Sequence, residues 1–157
     1  MIKILVSSCL LGAAVRHDGR DKKSSHPALQ RWIDEGRIVS VCPEMLGGLG
    51  TPRPPSEIVN DGSRRVLSNE GRDVTREFQA GAGAVAEQAT EQQVRIAILK
   101  ASSPSCGSSF IYDGTFSKTS IPGEGITTAA LRRIGVRVFS EEEIDAADAY
   151  VRELEGP

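Results

Sequence analysis

Cys9, Cys42 and Cys106 are the residues of this 157-residue chain whose type and placement best suit chemistry. Each follows a short apolar run: Cys9 comes after Ile2 to Ser8, Cys42 after Arg37 to Val41, and Cys106 after Arg95 to Leu99 by way of Lys-Ala-Ser-Ser-Pro-Ser. Short runs rich in Ile, Leu and Val read as strands of a parallel sheet, so all three thiols are predicted in loops at strand ends. Open parallel sheets bind their ligands outside that edge. A cysteine taken singly is more often a small buried hydrophobe than a ligand. Three independent core cysteines, however, have no reason to share strand-end loops. Their wide separation matches neither zinc-ribbon nor ferredoxin spacing, so convergence has to come from the fold. Three thiolates without an obvious fourth protein ligand suit either a catalytic zinc with an open position or a 4Fe-4S cluster with one iron not bound by protein. His17, in an Asp-Gly turn, and His26, near a helix start, are the only histidines. Solvation or capping is their ordinary role, and the lack of a convincing histidine ligand favours iron–sulfur.

The elements that must position the cysteines are legible from pattern. Val15 to Lys23 reads as a polar loop. Ser25-His26-Pro27 opens a helix whose apolar face is Ala28, Leu29, Trp32 and Ile33, with Trp32 in the core and Gly36 as the stop. Met45 to Pro55, dense in Gly and Pro and without a period, is predicted to be an irregular loop of fixed shape. Glu57 to Asn69 forms a small hairpin turned at Asn60 to Ser63, and Val74 to Val94 a long helix in which Gly81 and Gly83 suit close packing. Pro104 and Gly107 break regular structure around Cys106. Phe110 to Phe116 carries the Asp-Gly signal of a tight hairpin able to roof a pocket. A further helix follows, with Thr127 as its N-cap, then a strand from Val136 to Phe139. Ser140 to Glu143 has the spacing of a capping box opening the last helix. Strands alternate with helices throughout and no linker interrupts them. The expectation is one α/β domain over residues 1–157, with about four parallel strands and helices on both faces.

Composition narrows the partners. Nineteen Lys and Arg against 21 Asp and Glu give a net charge of −2, and no basic run stands out, which argues against polymeric nucleic acid. Met1 to Val6 is too short an apolar run for a membrane span and lacks the cleavage site of a signal peptide, so a cytoplasmic location without membrane attachment is expected. An odd number of cysteines in a reducing compartment describes no disulfide framework.

Cys9-Leu10-Leu11-Gly12, the block Cys42-Pro43-Glu44 with Gly47-Gly48-Leu49 and Pro52-Arg53-Pro54, and Lys100 with Ser103-Pro104-Ser105-Cys106-Gly107 together resemble the thiouracil desulfidase family. The resemblance covers nearly the whole chain. It implies a Rossmann-like domain in which Cys9, Cys42 and Cys106 hold a 4Fe-4S cluster whose fourth iron takes the sulfur of a thiolated base or nucleotide. The products it implies are the oxo base and hydrogen sulfide, with no net redox change. An assisting glutamate and serine of the family match Glu44 and Ser103.

The chemistry is consistent with that implication. Cleaving a thiocarbonyl needs a soft Lewis acid for the departing sulfur and a general acid/base for the water that replaces it. Glu44 lies two residues from Cys42, and Ser103 or Ser105 is placed to orient water or substrate. Lys100, Arg53 and Arg16 are available to offset thiolate charge. Two other functions fit the same cysteines: a non-catalytic metal or cluster sensor, in which Glu44 and Ser103 are only loop residues, and a zinc-dependent hydrolase.

Overall fold

Four short strands with buried aliphatic side chains, β1 (Ile4–Ser7), β2 (Ile38–Val41), β5 (Ile96–Leu99) and β8 (Arg137–Ser140), pair in parallel in the order β2-β1-β5-β8. The computed structural model describes residues 1–13, 18–19 and 24–156. Alternation along the central strands divides the core. Ile4, Val6, Ile96 and Ile98 pack with Ala28, Leu29 and Trp32 of α1 (Pro27–Asp34) and with Ile144, Ala147 and Val151 of α5 (Ile144–Glu155). Leu5, Ala97 and Leu99 pack on the other face with Val85 and Ala89 of α3 (Thr75–Glu91) and Leu131 of α4 (Ile126–Arg133). The fold is therefore α/β and Rossmann-like, a parallel sheet with helices on both faces. Strand order reverses between β1 and β5, which makes their C-terminal ends the switch point of the sheet.

Two antiparallel hairpins flank that edge. One joins β3 (Ser56–Ile58) to β4 (Val66–Ser68), the other β6 (Phe110–Tyr112) to β7 (Ser120–Pro122). Ile58, Val66 and Ile111 from the hairpins pack with Val74 and Phe78 in a separate small core. No helix among the described residues is long and apolar enough to cross a membrane.

Several expectations are corrected in detail. The stretch Met45 to Pro55 is not wholly irregular, because α2 (Pro43–Leu46) takes its first residues. Proline at the first helical position and carbonyl partners from Cys42 and Pro43 make that turn. Thr127 does not cap α4. Gly125 does, and the first amides of α4 are satisfied by the cysteine loop itself: Ile126 donates to the Pro104 carbonyl at 2.9 Å and Thr127 to the Ser105 carbonyl at 2.9 Å. Half of the capping box forms, with Ser140 N–H donating to Glu143 Oε1 at 2.9 Å, but Glu143 rather than Ser140 precedes α5.

The second hairpin is not tight: its strands are bridged by the loop 113–119. Glu57 draws that loop aside, its Oε1 accepting the amides of Gly114 at 2.9 Å and Phe116 at 3.2 Å. The polar loop read from Val15 to Lys23, with Arg16 and His17, lies outside the described residues apart from Asp18 and Gly19. His26 caps α1, its Nδ1 accepting from the Ala28 amide at 3.0 Å.

Candidate active site

Each cysteine is held by a different device at the end of a strand. Cys9 lies in a 3-10 turn, Ser8–Leu11, that continues directly from β1 and closes at Gly12 with φ 99°. Only a residue without a Cβ enters that left-handed conformation at no steric cost. Cys42 follows β2 and is the N-cap of α2 in extended geometry. Glycines dock α2 on α3: a Cβ on Gly81 would stand 2.0 Å from the Pro43 carbonyl oxygen, and one on Gly47 would stand 1.9 Å from that of Glu77. Backbone is thus packed on backbone directly beneath Cys42 and Glu44.

Cys106 sits in the loop after β5, and here the serines fix the turn. Ser103 Oγ accepts the amides of Ser105 and Cys106, both at 3.1 Å. Thr128 Oγ1 donates to the Cys106 carbonyl at 3.0 Å, and the Ser105 and Thr127 hydroxyls bond at 2.7 Å. The loop is clamped to α4 rather than left as a solvated Ser-rich segment.

All three cysteines line one cavity of about 590 Å³ at the C-terminal edge of the sheet. Glu44, Arg53, Lys100, Ser103 and Ser105 line it as well, so the structure brings together every described residue for which the sequence suggested a role there. Cys9 and Cys106 are buried and Cys42 is partly so, and none forms a disulfide. Burial pushes the Cys106 thiol up to about 12, with the Ser7 hydroxyl acting against it and the charges of Glu44 and Cys9 reinforcing it. Burial also raises Cys42, opposed by the Met45 amide and Arg53 and helped by Glu44. A metal displaces such a thiol proton on binding, so the three sulfurs form a soft donor set for a metal or a metal–sulfur group.

Electrostatics around the thiols is organised by pairs. Arg53 Nε donates to Glu44 Oε2 at 2.7 Å and its Nη2 meets the same oxygen. Arg53 Nη1 also donates to the Gly50 carbonyl at 2.9 Å, tying the Gly/Pro-rich loop to the site. Lys100 Nζ donates to the Ala101 carbonyl at 3.0 Å and lies 3.8 Å from Glu141 Oε1.

The far wall comes from the hairpins. Tyr112, Phe116 and Lys118 of the second, with Glu57 and Asn69 of the first, face the cavity. The Asp-Gly signal predicted a roof, but nothing in the local sequence singles out Phe116 or Glu57. Ser7 is likewise invisible as anything but the end of a strand. Its hydroxyl donates to Cys106 Sγ at 3.7 Å and accepts the Lys100 amide at 3.1 Å.

Comparisons with known proteins identify the family. The family model for 2-thiouracil desulfurase matches residues 4–143. The uncharacterized protein YbbK of Bacillus subtilis (strain 168) is 42% identical over 149 residues, covering 90% of this chain and 97% of that protein. A solved structure of a 4Fe-4S-dependent thiouracil desulfidase, TudS, is 45% identical and superposes with a TM-score of 0.92, covering 96% of this chain and 98% of that one. The chain belongs to the 2-thiouracil desulfurase family of enzymes.

Proposed function

We propose that this chain works as one desulfidase domain over residues 1–157 in which Cys9, Cys42 and Cys106 hold a 4Fe-4S cluster with one iron not bound by protein. The observation that carries the reading is that the three thiols and Glu44 share one substrate-sized cavity. The donor set fits such a group: three soft thiols and no histidine among the described lining residues. The zinc reading is set aside because the solved relative, 45% identical over nearly the whole chain, is 4Fe-4S-dependent. A sensor has no need of a carboxylate and an aromatic wall beside the thiols.

The substrate in this reading is a small thiolated base or nucleotide, thiouracil-like, which reacts with water to give the oxo base and hydrogen sulfide. When bound, the cluster supplies a soft Lewis acid for the sulfur leaving the thiocarbonyl carbon. Tyr112 and Phe116 give the ring flat apolar surfaces to stack on, and Lys118 brings a cation to the mouth. Glu44 is the general acid/base. Arg53 fixes it through Oε2, which leaves Oε1 without a hydrogen bond among the described residues and able to take a proton from water.

Ser103 is the assisting serine. Its oxygen already accepts two amides, so its O–H is left to donate to water or substrate. Ser105 is engaged by Thr127 and only 1% exposed. The net charge of −2 supports a small-molecule substrate over polymeric nucleic acid or an anionic membrane surface. Three thiols outside any disulfide support a reducing, cytoplasmic setting.

Anaerobic reconstitution with iron and sulfide tests the reading. The protein is expected to turn brown, with absorbance near 400 nm, and to release sulfide from 2-thiouracil or another small thiolated base. Cys106→Ser is expected to lose most of its cluster while keeping its fold. A colourless protein with stoichiometric zinc, or full cluster occupancy in Cys106→Ser, overturns it.

A further inference from the structure

We infer that Ser7 is a positioning residue for the Cys106 sulfur: its hydroxyl donates the hydrogen bond that orients this thiolate and withdraws charge from it. The inference rests on the cluster reading above. Ser7 is the last residue of β1, after the fully buried Ile4, Leu5 and Val6, and is itself only 3% exposed. A hydroxyl there is costly unless both its donor and acceptor capacity are used.

Both are used at the site. Ser7 Oγ accepts the Lys100 amide at 3.1 Å, which directs the remaining O–H towards Cys106 Sγ, 3.7 Å away. Three segments thereby meet at the switch point: the end of β1, the first residue after β5, and the cysteine loop. Two residues beyond Ser7 is Cys9, so the same bond sets the Cys106 sulfur relative to the turn that carries Cys9.

The two jobs of this hydroxyl separate in their consequences. If Ser7 only satisfied the Lys100 amide, its loss would lower stability and leave the metal centre unchanged. A donor on a ligand sulfur instead stabilises the more negative, reduced state of a cluster and strengthens its retention. Removing it therefore makes the midpoint potential more negative and releases iron faster.

The test uses the full-length protein reconstituted anaerobically with iron and sulfide. Midpoint potential is read by spectroelectrochemical titration, and iron loss by transfer to a ferrous chelator. Ser7→Ala is expected to shift the potential negative and to weaken iron retention by about 10- to 100-fold, as for other lost supporting contacts to ligands. Ser7→Thr keeps the hydroxyl and Ser7→Val has the same shape without it, so this pair decides the matter even where Ser7→Ala folds poorly. The Thr variant should match the wild type and the Val variant should match Ser7→Ala. Equal potentials and equal iron loss in the wild type and the Val variant overturn the inference and leave the cluster reading intact. A wild-type protein that assembles no cluster overturns both.

Discussion

Arg53 and Glu44 form an ion pair inside the cysteine cavity, with Arg53 Nε donating to Glu44 Oε2 at 2.7 Å. Their side chains are only 8% and 15% exposed, so solvent screens the pair little. Removing one partner of such a pair leaves an uncompensated charge and costs roughly 3–5 kcal/mol. Arg53→Met is therefore expected to destabilise the metal-free protein by about that amount in urea denaturation. Arg53→Lys keeps the charge but loses the fork that reaches both Glu44 and Gly50, and should fall between the two.

Glu44→Gln keeps size and hydrogen-bonding capacity and removes the titrating group. Cluster absorbance and substrate affinity should stay near wild type, while turnover falls by roughly 10²- to 10⁴-fold. Wild-type turnover would reduce Glu44 to a loop residue. Loss of the cluster would place it among the ligands.

Gly81 and Gly83 lie on the same helix and should respond in opposite ways. A methyl at Gly81 meets the Pro43 carbonyl and must push α2 off α3, carrying Cys42 and Glu44 with it. Overpacking of this kind costs about 1–3 kcal/mol, and cluster assembly should fall beyond what the stability loss explains. A methyl at Gly83 meets nothing within 4 Å and gains helix propensity, so Gly83→Ala should be neutral or stabilising by up to about 1 kcal/mol. Thermal melts of both metal-free variants, with iron content after reconstitution, check the contrast.

Phe116→Ala tests the roof. Stacking of a base on an aromatic ring is worth about 1–3 kcal/mol, so KM should rise by roughly 5- to 150-fold with kcat little changed. Phe116 is 38% exposed and outside the main cores, so the melting temperature should hold. An unchanged KM would remove Phe116 from substrate recognition.

The local sequence determined where the reactive groups lie along the chain. Aliphatic runs of strand length ahead of Cys9, Cys42 and Cys106 placed each thiol at a strand end, and alternation with helical periods fixed the parallel α/β class. Both signals are local, because side-chain periodicity repeats within a few residues. The tertiary structure decided what each group touches. Glu44 acquires Arg53 because the loop between them folds back, through a path that Gly/Pro composition marks as irregular without specifying. Thr127 reads as a cap, yet it is buried against Ser105, because the cysteine loop supplies the carbonyls that α4 needs. Phe116 reaches the cavity on a loop held by Glu57, far away in sequence, and Ser7 meets Cys106 only once β1 and β5 lie side by side. Hydrogen bonds of this kind depend on atoms brought within about 3–4 Å by strand order and loop closure, and residue type at either end carries no record of the other.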